Sequence, residues 1–497
     1  MSGYVLALDQ GTTGSTAMVV SPQSQVLGRG YREFSQHYPK SGWVEHDPEE
    51  IWTSIVAAAE EAMNHAGVER NACVALGIAN QRETTVLWER KTHRPIRPAI
   101  VWQDRRTAER CQAMKRNGLE ANFRERTGLV LDPYFSGTKI EWMLDETQGL
   151  RFRAERGDIA FGTIDSFLIH RLTSGAVHAT DRTNASRTLL FNIHACDWDS
   201  ELAGELRVPL AMLPEVRPSS GVFGYTKGFS PLPDGVPIAG VAGDQQSALF
   251  GQACWEEGMA KCTYGTGAFL LMNTGSTPVP SHRGLLTTIA CEVAGRVSYA
   301  IEGSAFIAGA AVQWLRDGLG LISESPEVEK LAASVESSSD VVFVPALTGL
   351  GAPYWDPDAR GLICGITRDT SRGHLARAAL EGIALQICDL VQAMESDSGR
   401  SLKRFRVDGG AAQNGLLMQT QANLLGVPVD RPLQLDTTAL GAAFLAGLGV
   451  GFYEDMQAIL RRHVVAETFH GEFSEPERIT AMQRWHSAVR RARSELS

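Results

Sequence analysis

Two stretches of this chain have the residue types and spacing to hold phosphate. Asp9-Gln10-Gly11-Thr12-Thr13-Gly14-Ser15-Thr16 joins the apolar runs Val5-Leu6-Ala7-Leu8 and Ala17-Met18-Val19-Val20. A strand, a Gly/Thr turn and a strand read as a β-hairpin. Glycines let a ligand come close to the backbone. Successive N–H groups and Thr/Ser hydroxyls can then face phosphate oxygens. Asp9, at the strand end, suits Mg²⁺ held through water. No Gly-Lys-Ser/Thr closes the loop and no helix follows it, so it is not a Walker A loop. An ordinary surface hairpin has the same composition. The pattern returns in the second half, where Gly265-Thr266-Gly267 joins residues 258–264 to Phe269-Leu270-Leu271-Met272. Two such hairpins at matching places suggest an internal duplication.

The elements around these loops alternate strand and helix, which defines an α/β protein. Residues 25–30 read as a third strand. Asp47-Pro48-Glu49-Glu50 opens a helix, with Asp47 as cap, Pro48 at its first position and Glu50 completing a capping box. Its apolar stripe is Ile51, Ile55, Ala58, Ala59, Ala62 and Met63, and Gly67 ends it. Residues 74–79 form a fully apolar strand ending in Asn80-Gln81-Arg82-Glu83. Ligands in open α/β sheets bind beyond the carboxyl ends of strands. Arg82 and Glu83 are therefore site candidates, although a solvated surface ion pair is the plain alternative. Residues 238–242 form a strand ending in Gly243-Asp244-Gln245-Gln246, and residues 405–407 one ending in Asp408-Gly409-Gly410. Residues 416–425 and 439–447 are the closing helices. A chain of 497 residues exceeds one ordinary core. Two domains are expected, 1–250 and 251–497.

Composition excludes several classes. The net charge of −10 argues against nucleic acid or an anionic membrane as the main partner. The eight scattered cysteines form no Cys-x-x-Cys pair and read as reduced, mostly buried thiols. No secretory leader and no long uncharged apolar run appears, so a cytoplasmic protein without an integral membrane segment is expected. The histidines form no metal-like cluster.

Asp9-Gln10-Gly11-Thr12-Thr13, Gly243-Asp244-Gln245-Gln246, Tyr264-Gly265-Thr266-Gly267 and Asp408-Gly409-Gly410, in that order, resemble the FGGY family of carbohydrate kinases. Gly42-Trp43-Val44-Glu45-His46-Asp47-Pro48, Asn80-Gln81-Arg82-Glu83-Thr84-Thr85, Ile100-Val101-Trp102-Gln103 and Asp132-Pro133-Tyr134-Phe135-Ser136-Gly137 resemble loops of its glycerol-phosphorylating members. So do Thr183-Asn184-Ala185-Ser186-Arg187-Thr188 and residues 349–355, and the likeness runs nearly end to end. The resemblance implies two actin- and hexokinase-like (ribonuclease H-like) domains flanking a nucleotide cleft. It implies transfer of phosphate from MgATP to glycerol, giving sn-glycerol 3-phosphate and ADP, by a homodimer or homotetramer.

The resemblance also implies residue roles. Arg82, Glu83, Tyr134, Asp244 and Gln245 would hydrogen-bond glycerol, with Trp102 and Phe269 walling its carbons. Thr12, Thr13, Gly14, Thr266, Gly309, Gln313, Gly410 and Asn414 would line the ATP site, and Asp9 would hold Mg²⁺. Charged partners suit a small, neutral, hydroxyl-rich substrate because each buried hydroxyl needs a strong hydrogen bond. Asp244 is expected to be the general base, accepting the proton as the O–P bond forms. An acid between a strand and a helix is also a common N-cap.

Many of these relatives carry an arginine where this chain has Thr16, so no charge from that position is expected to reach the phosphates. Residues 225–231 hold no histidine and no Gly-rich segment. Control by histidine phosphorylation or by fructose 1,6-bisphosphate, found in some relatives, is therefore not expected. Two other readings stay open. One is a family kinase acting on a pentulose or another polyol, and the other is a non-enzymatic, actin-like ATP-binding module.

Overall fold

The computed structural model describes residues 3–494. Its frame is two mixed sheets. The first contains β1 (Tyr4–Gln10), β2 (Gly14–Val20), β3 (Val26–Glu33), β4 (Cys73–Asn80), β5 (Ser220–Tyr225) and β6 (Pro237–Gly243). Their order is β5-β6-β4-β1-β2-β3. The second contains β7 (Met259–Tyr264), β8 (Ala268–Gly275), β9 (Leu286–Val293), β10 (Arg296–Ala305), β11 (Arg404–Asp408), β12 (Val429–Pro432) and β13 (Val465–Phe469). Their order is β9-β10-β8-β7-β11-β12-β13.

The two sheets repeat one plan. Antiparallel neighbours β3-β2-β1 continue into parallel β4 and β6, just as β10-β8-β7 continue into parallel β11 and β12. The Gly/Thr loops of the sequence are the β1–β2 and β7–β8 turns. This repeated topology is the physical content of the echo between the halves.

Residues of β1 alternate between two cores because successive side chains point to opposite faces. Leu6 and Leu8 pack with Ile51, Ile55 and Ala58 of α1 (Pro48–Ala66). Asp47 caps α1 by accepting from the Glu49 N–H at 2.8 Å, and Gly67 ends it with a left-handed φ of 61°. Glu50 does not close a capping box. Its carboxylate accepts the Ser35 N–H instead, at 2.9 Å, and so ties the preceding loop to the helix.

Val5 and Ala7 face the other core, where they meet α7 (Thr437–Gly449). The remaining helices used below are α2 (Ser136–Glu146), α3 (Asp244–Gly251), α4 (Gly309–Asp317), α5 (Arg372–Ser398), α6 (Gly415–Leu425) and α8 (Glu475–Ala492). The two sheets fall on either side of residue 250, but α7 crosses back onto the first one. The chain also continues past α7 into β13 and α8, so residues 416–425 and 439–447 are not the last elements. Trp485 of α8 is fully buried in the core of the second sheet.

α7 approaches very closely. A Cβ at Gly441 would overlap the Ser247 carbonyl oxygen of α3. Gly441→Ala should therefore cost about 1–3 kcal/mol, since a backbone contact cannot yield as a side chain does. Equilibrium urea unfolding checks this, and an unchanged midpoint would show that α7 can shift outward.

All eight cysteines are free, with Cys196, Cys291 and Cys364 only partly covered. Among the described residues, no helix is long and apolar enough to cross a membrane.

Candidate functional site

The sheet register brings the first pair of site candidates together. β6 runs parallel to β4 with Gly243 opposite Asn80. The residues just beyond those ends, Asp244 and Arg82, therefore leave the sheet side by side. Arg82 Nε lies 3.1 Å from Asp244 Oδ1. Asp244 is the first residue of α3 and not its cap, because Gly243 holds the cap position. Its Oδ1 also accepts the neighbouring Gln245 N–H at 2.7 Å. The helix N-terminus adds favourable positive potential to that carboxylate.

Arg82 turns its other edge to Glu302 of β10. Nη1 donates to Oε2 at 2.5 Å and Nη2 to Oε1 at 3.1 Å, a two-pronged contact. Arg187 does the same work from the next loop, donating to Glu302 Oε1 at 3.0 Å and to Glu83 Oε1 at 2.6 Å. The result is an alternating chain, Asp244–Arg82–Glu302–Arg187–Glu83. Four members are at most 2% exposed, whereas the Asp244 side chain is 27% exposed. Asp244 is thus the most exposed carboxylate of the chain.

Three carboxylates face two guanidiniums here, and burial settles their charges unequally. Burial would raise Glu302, but Arg187 and Arg82 bring it down to about 2. Burial raises Glu83 and outweighs Arg187 and Arg82. Asp244 also lies above the ordinary aspartate range, because burial outweighs Arg82 and Lys261. Burial keeps the Tyr134 hydroxyl protonated, so it remains a donor. Tyr134 Oη is 3.5 Å from Arg82 Nη2, at the limit of contact.

Glu83 has a left-handed backbone, with φ of 61°. Such a conformation costs energy in a side-chain-bearing residue and persists only where neighbours fix it. The fixing groups come from the start of α2. Ser136 Oγ donates to the Glu83 carbonyl at 3.0 Å. Lys139 Nζ donates to that carbonyl at 3.4 Å and to the Tyr134 carbonyl at 2.7 Å. Lys139 has no exposed surface, and burial lowers it to about 7.

Trp102, Tyr134 and Phe269 form three walls. The Trp102 ring centre is 5.6 Å from Tyr134 and 6.2 Å from Phe269, both edge-on. Phe269 belongs to β8, so the walls come from both halves. Trp102 Nε1 donates to Thr12 Oγ1 at 2.9 Å, which joins the aromatic walls to the first Gly/Thr loop. Gln245 faces the second half, where its side-chain oxygen accepts from buried Lys261 of β7. That leaves the Gln245 NH₂ as the group free to donate.

The two Gly/Thr loops are closed alike. Gly11 N–H donates to the Gly14 carbonyl, and Gly265 N–H to the Gly267 carbonyl, each at 2.9 Å. Thr13 and Thr266 are exposed, and Thr12 is half-buried. The Thr266 carbonyl accepts the Ala308 and Ala310 N–H groups, which brings Gly309 and α4 against the second loop. Gln313 is exposed on α4. Gly409 follows β11 with φ of 85°, and a Cβ there would lie 2.6 Å from the Tyr264 carbonyl oxygen. Its neighbour Gly410 borders open space. Asn414 is already partly engaged, because its Oδ1 caps α6 through the Leu417 N–H at 2.8 Å. Its amide NH₂ remains available.

Asp9 is pushed well above the ordinary aspartate range by burial and by Asp244 and Asp436, against Arg29. Thr16 sits opposite Asp9 in the β1–β2 register and is covered. Arg29 of β3, which acts against the rise at Asp9, is itself paired with Asp436 at 2.8 Å.

Arg187, Glu302 and Lys261 escaped the sequence reading as site residues. Arg187 lies in the family-like loop 183–188, where nothing local marks it as a partner of Glu83 and Glu302. Glu302 and Lys261 are single charges within apolar strand runs, and that interruption was the available signal.

Residues 4–251 match the FGGY family of carbohydrate kinases, N-terminal domain, and residues 260–450 match its C-terminal domain. The chain belongs to the FGGY family of carbohydrate kinases. It is 57% identical over 491 residues to a glycerol kinase of Myxococcus xanthus, covering 98% of this chain and 99% of that one. It is 56% identical over 490 residues to a glycerol kinase of Deinococcus radiodurans, covering 99% and 97%. The crystal structure of Plasmodium falciparum glycerol kinase with ADP superposes with a TM-score of 0.93 at 35% identity, over 99% of this chain and 98% of that one. The two-domain α/β fold is that of this kinase family.

Proposed function

We propose that the protein is an ATP-dependent glycerol kinase, transferring the terminal phosphoryl group of ATP to a terminal hydroxyl of glycerol. The observation that carries this reading is the half-open polyol site. The partly exposed Asp244 carboxylate pairs with the buried Arg82 guanidinium, Gln245 keeps an amide donor, and Trp102, Tyr134 and Phe269 stand edge to face. Full-length similarity to glycerol kinases supports it.

In this reading Arg82, Glu83, Tyr134 and Gln245 orient the glycerol hydroxyls, and Trp102 and Phe269 cover its carbons. Asp244 accepts the proton of the attacking hydroxyl. Thr12, Thr13, Gly14 and Thr266 hold phosphate oxygens, which turns the paired loops into a clamp. Gly309, Gln313, Gly410 and Asn414 line the nucleoside end.

The residues fit Mg²⁺. Asp9 stands near the end of β1 beside the first Gly/Thr loop, where its carboxylate could hold the cation through water. Among the described residues no three acids, cysteines or histidines converge to enclose an ion, so water and phosphate would complete its shell. Bound there, Mg²⁺ would neutralise phosphate charge. The same reading divides the chain near residue 250 and places it in the cytoplasm as a homodimer or homotetramer, which sedimentation tests.

ATP consumption with glycerol, other polyols and ketoses tests the function. Glycerol should outrun xylulose and ribulose, and the rate without acceptor should be low, because closure of the cleft excludes water. A ketose that far outruns glycerol would overturn the substrate. A glycerol-independent rate near the kinase rate would overturn the exclusion of water.

A further inference from the structure

The alternating charge chain has one member from the second sheet. Asp244, Arg82, Arg187 and Glu83 all leave the first half, whereas Glu302 stands on β10. It is 1% exposed and binds both arginines at once. Each arginine in turn holds one of the two carboxylates proposed to meet glycerol, Arg82 holding Asp244 and Arg187 holding Glu83. Without Glu302 the chain would be four groups of alternating pairs with nothing between the arginines. Two guanidiniums that close would repel, and each would collapse onto its own carboxylate.

We infer that Glu302 is a positioning residue that spaces Arg82 and Arg187 and so completes the glycerol site only when the two halves are docked. This rests on the proposed glycerol kinase activity. Nothing in the arrangement touches the two phosphate loops, so the effect should fall on glycerol and not on ATP. Other contacts support the docking at the same seam. Ser186 Oγ meets Thr288 Oγ1 at 3.0 Å, and Gln246 Nε2 donates to Thr288 Oγ1 at 3.2 Å. These uncharged contacts can hold the halves together when Glu302 is changed, which makes the test practicable.

Glu302→Gln keeps the shape and loses the charge, and Glu302→Asp keeps the charge on a shorter arm. Steady-state kinetics on both, with cooperative urea unfolding as the check on folding, decide the matter. For Glu302→Gln the glycerol KM should rise about tenfold or more, while the ATP KM stays within about twofold. kcat at saturating glycerol should fall less than kcat/KM for glycerol. Glu302→Asp should recover part of the glycerol KM, and it serves as the test variant if the Gln form does not fold. A glycerol KM within about twofold of wild type would overturn the inference. So would a parallel rise in both KM values, which marks general loosening of the fold. Wild type that consumes no ATP with glycerol would instead defeat the kinase reading, and the inference with it.

Discussion

Asp244→Asn should lower kcat for glycerol by about two to four orders of magnitude, the usual contribution of a positioned base. The ATP KM should change little, because Asp244 meets Arg82 and the Gln245 N–H and not the Gly/Thr loops. The amide keeps the size of the side chain and can still accept one hydrogen bond from Arg82. What it loses is the capacity to take a proton. An Asn variant with near wild-type kcat would remove Asp244 from the base role and leave it as an orienting group.

The pH profile gives a second handle on the same residue. Burial raises the Asp244 carboxyl above its ordinary range. As pH falls through that raised value the base becomes protonated, so kcat/KM should fall on an acid limb above the usual aspartate titration. The stability effect has the opposite sign. A folded acid with a raised pKa binds its proton more tightly than the unfolded chain does, so its ionised form is a cost at neutral pH. Asp244→Asn should therefore unfold at the same or higher urea concentration than wild type. Loss of activity with retained stability is the combination that separates chemistry from folding.

Arg187→Met should be among the most destabilising substitutions in the chain, at about 3–5 kcal/mol. The arginine is fully buried and serves two carboxylates, Glu83 and Glu302. Its guanidinium also lies 5.6 Å from the Tyr134 ring centre and 5.3 Å from that of Phe135. Methionine would replace some of that packing but leave two buried carboxylates with Arg82 alone. By contrast, breaking the exposed pair Arg316–Asp317 should leave the unfolding midpoint almost unchanged.

Urea unfolding at neutral pH measures the difference, and acid titration identifies its source. Glu302 sits at about 2 when folded, so its contribution is present above about 4.5 and is lost as pH falls from there toward 2. Without Arg187 that depression shrinks, and the variant should lose less stability than wild type across this window. Equal acid sensitivity in the two proteins would mean that Arg82 alone fixes the charge of Glu302.

Features that depend on near neighbours are legible along the chain. Apolar runs ending in Gly/Thr turns became the paired hairpins, and the apolar stripe from Ile51 to Met63 became the buried face of α1. Polar residues that follow buried strands stood at the mouth of a cleft, because a parallel sheet aligns its carboxyl ends. Even the apparent duplication reduced to a shared strand order.

Which charges meet is settled by long-range packing. Arg82 and Glu302 are separated by 220 positions, and no local pattern pairs them. The return of α7 to the first sheet was equally hidden, because its glycines and alanines suit any close helix contact. The engagement of Gln245 by Lys261 depends on two halves arriving at one seam. Periodicity records which face of an element is buried. It carries no record of which distant element covers that face, and the partners of a buried charge are chosen at that second step.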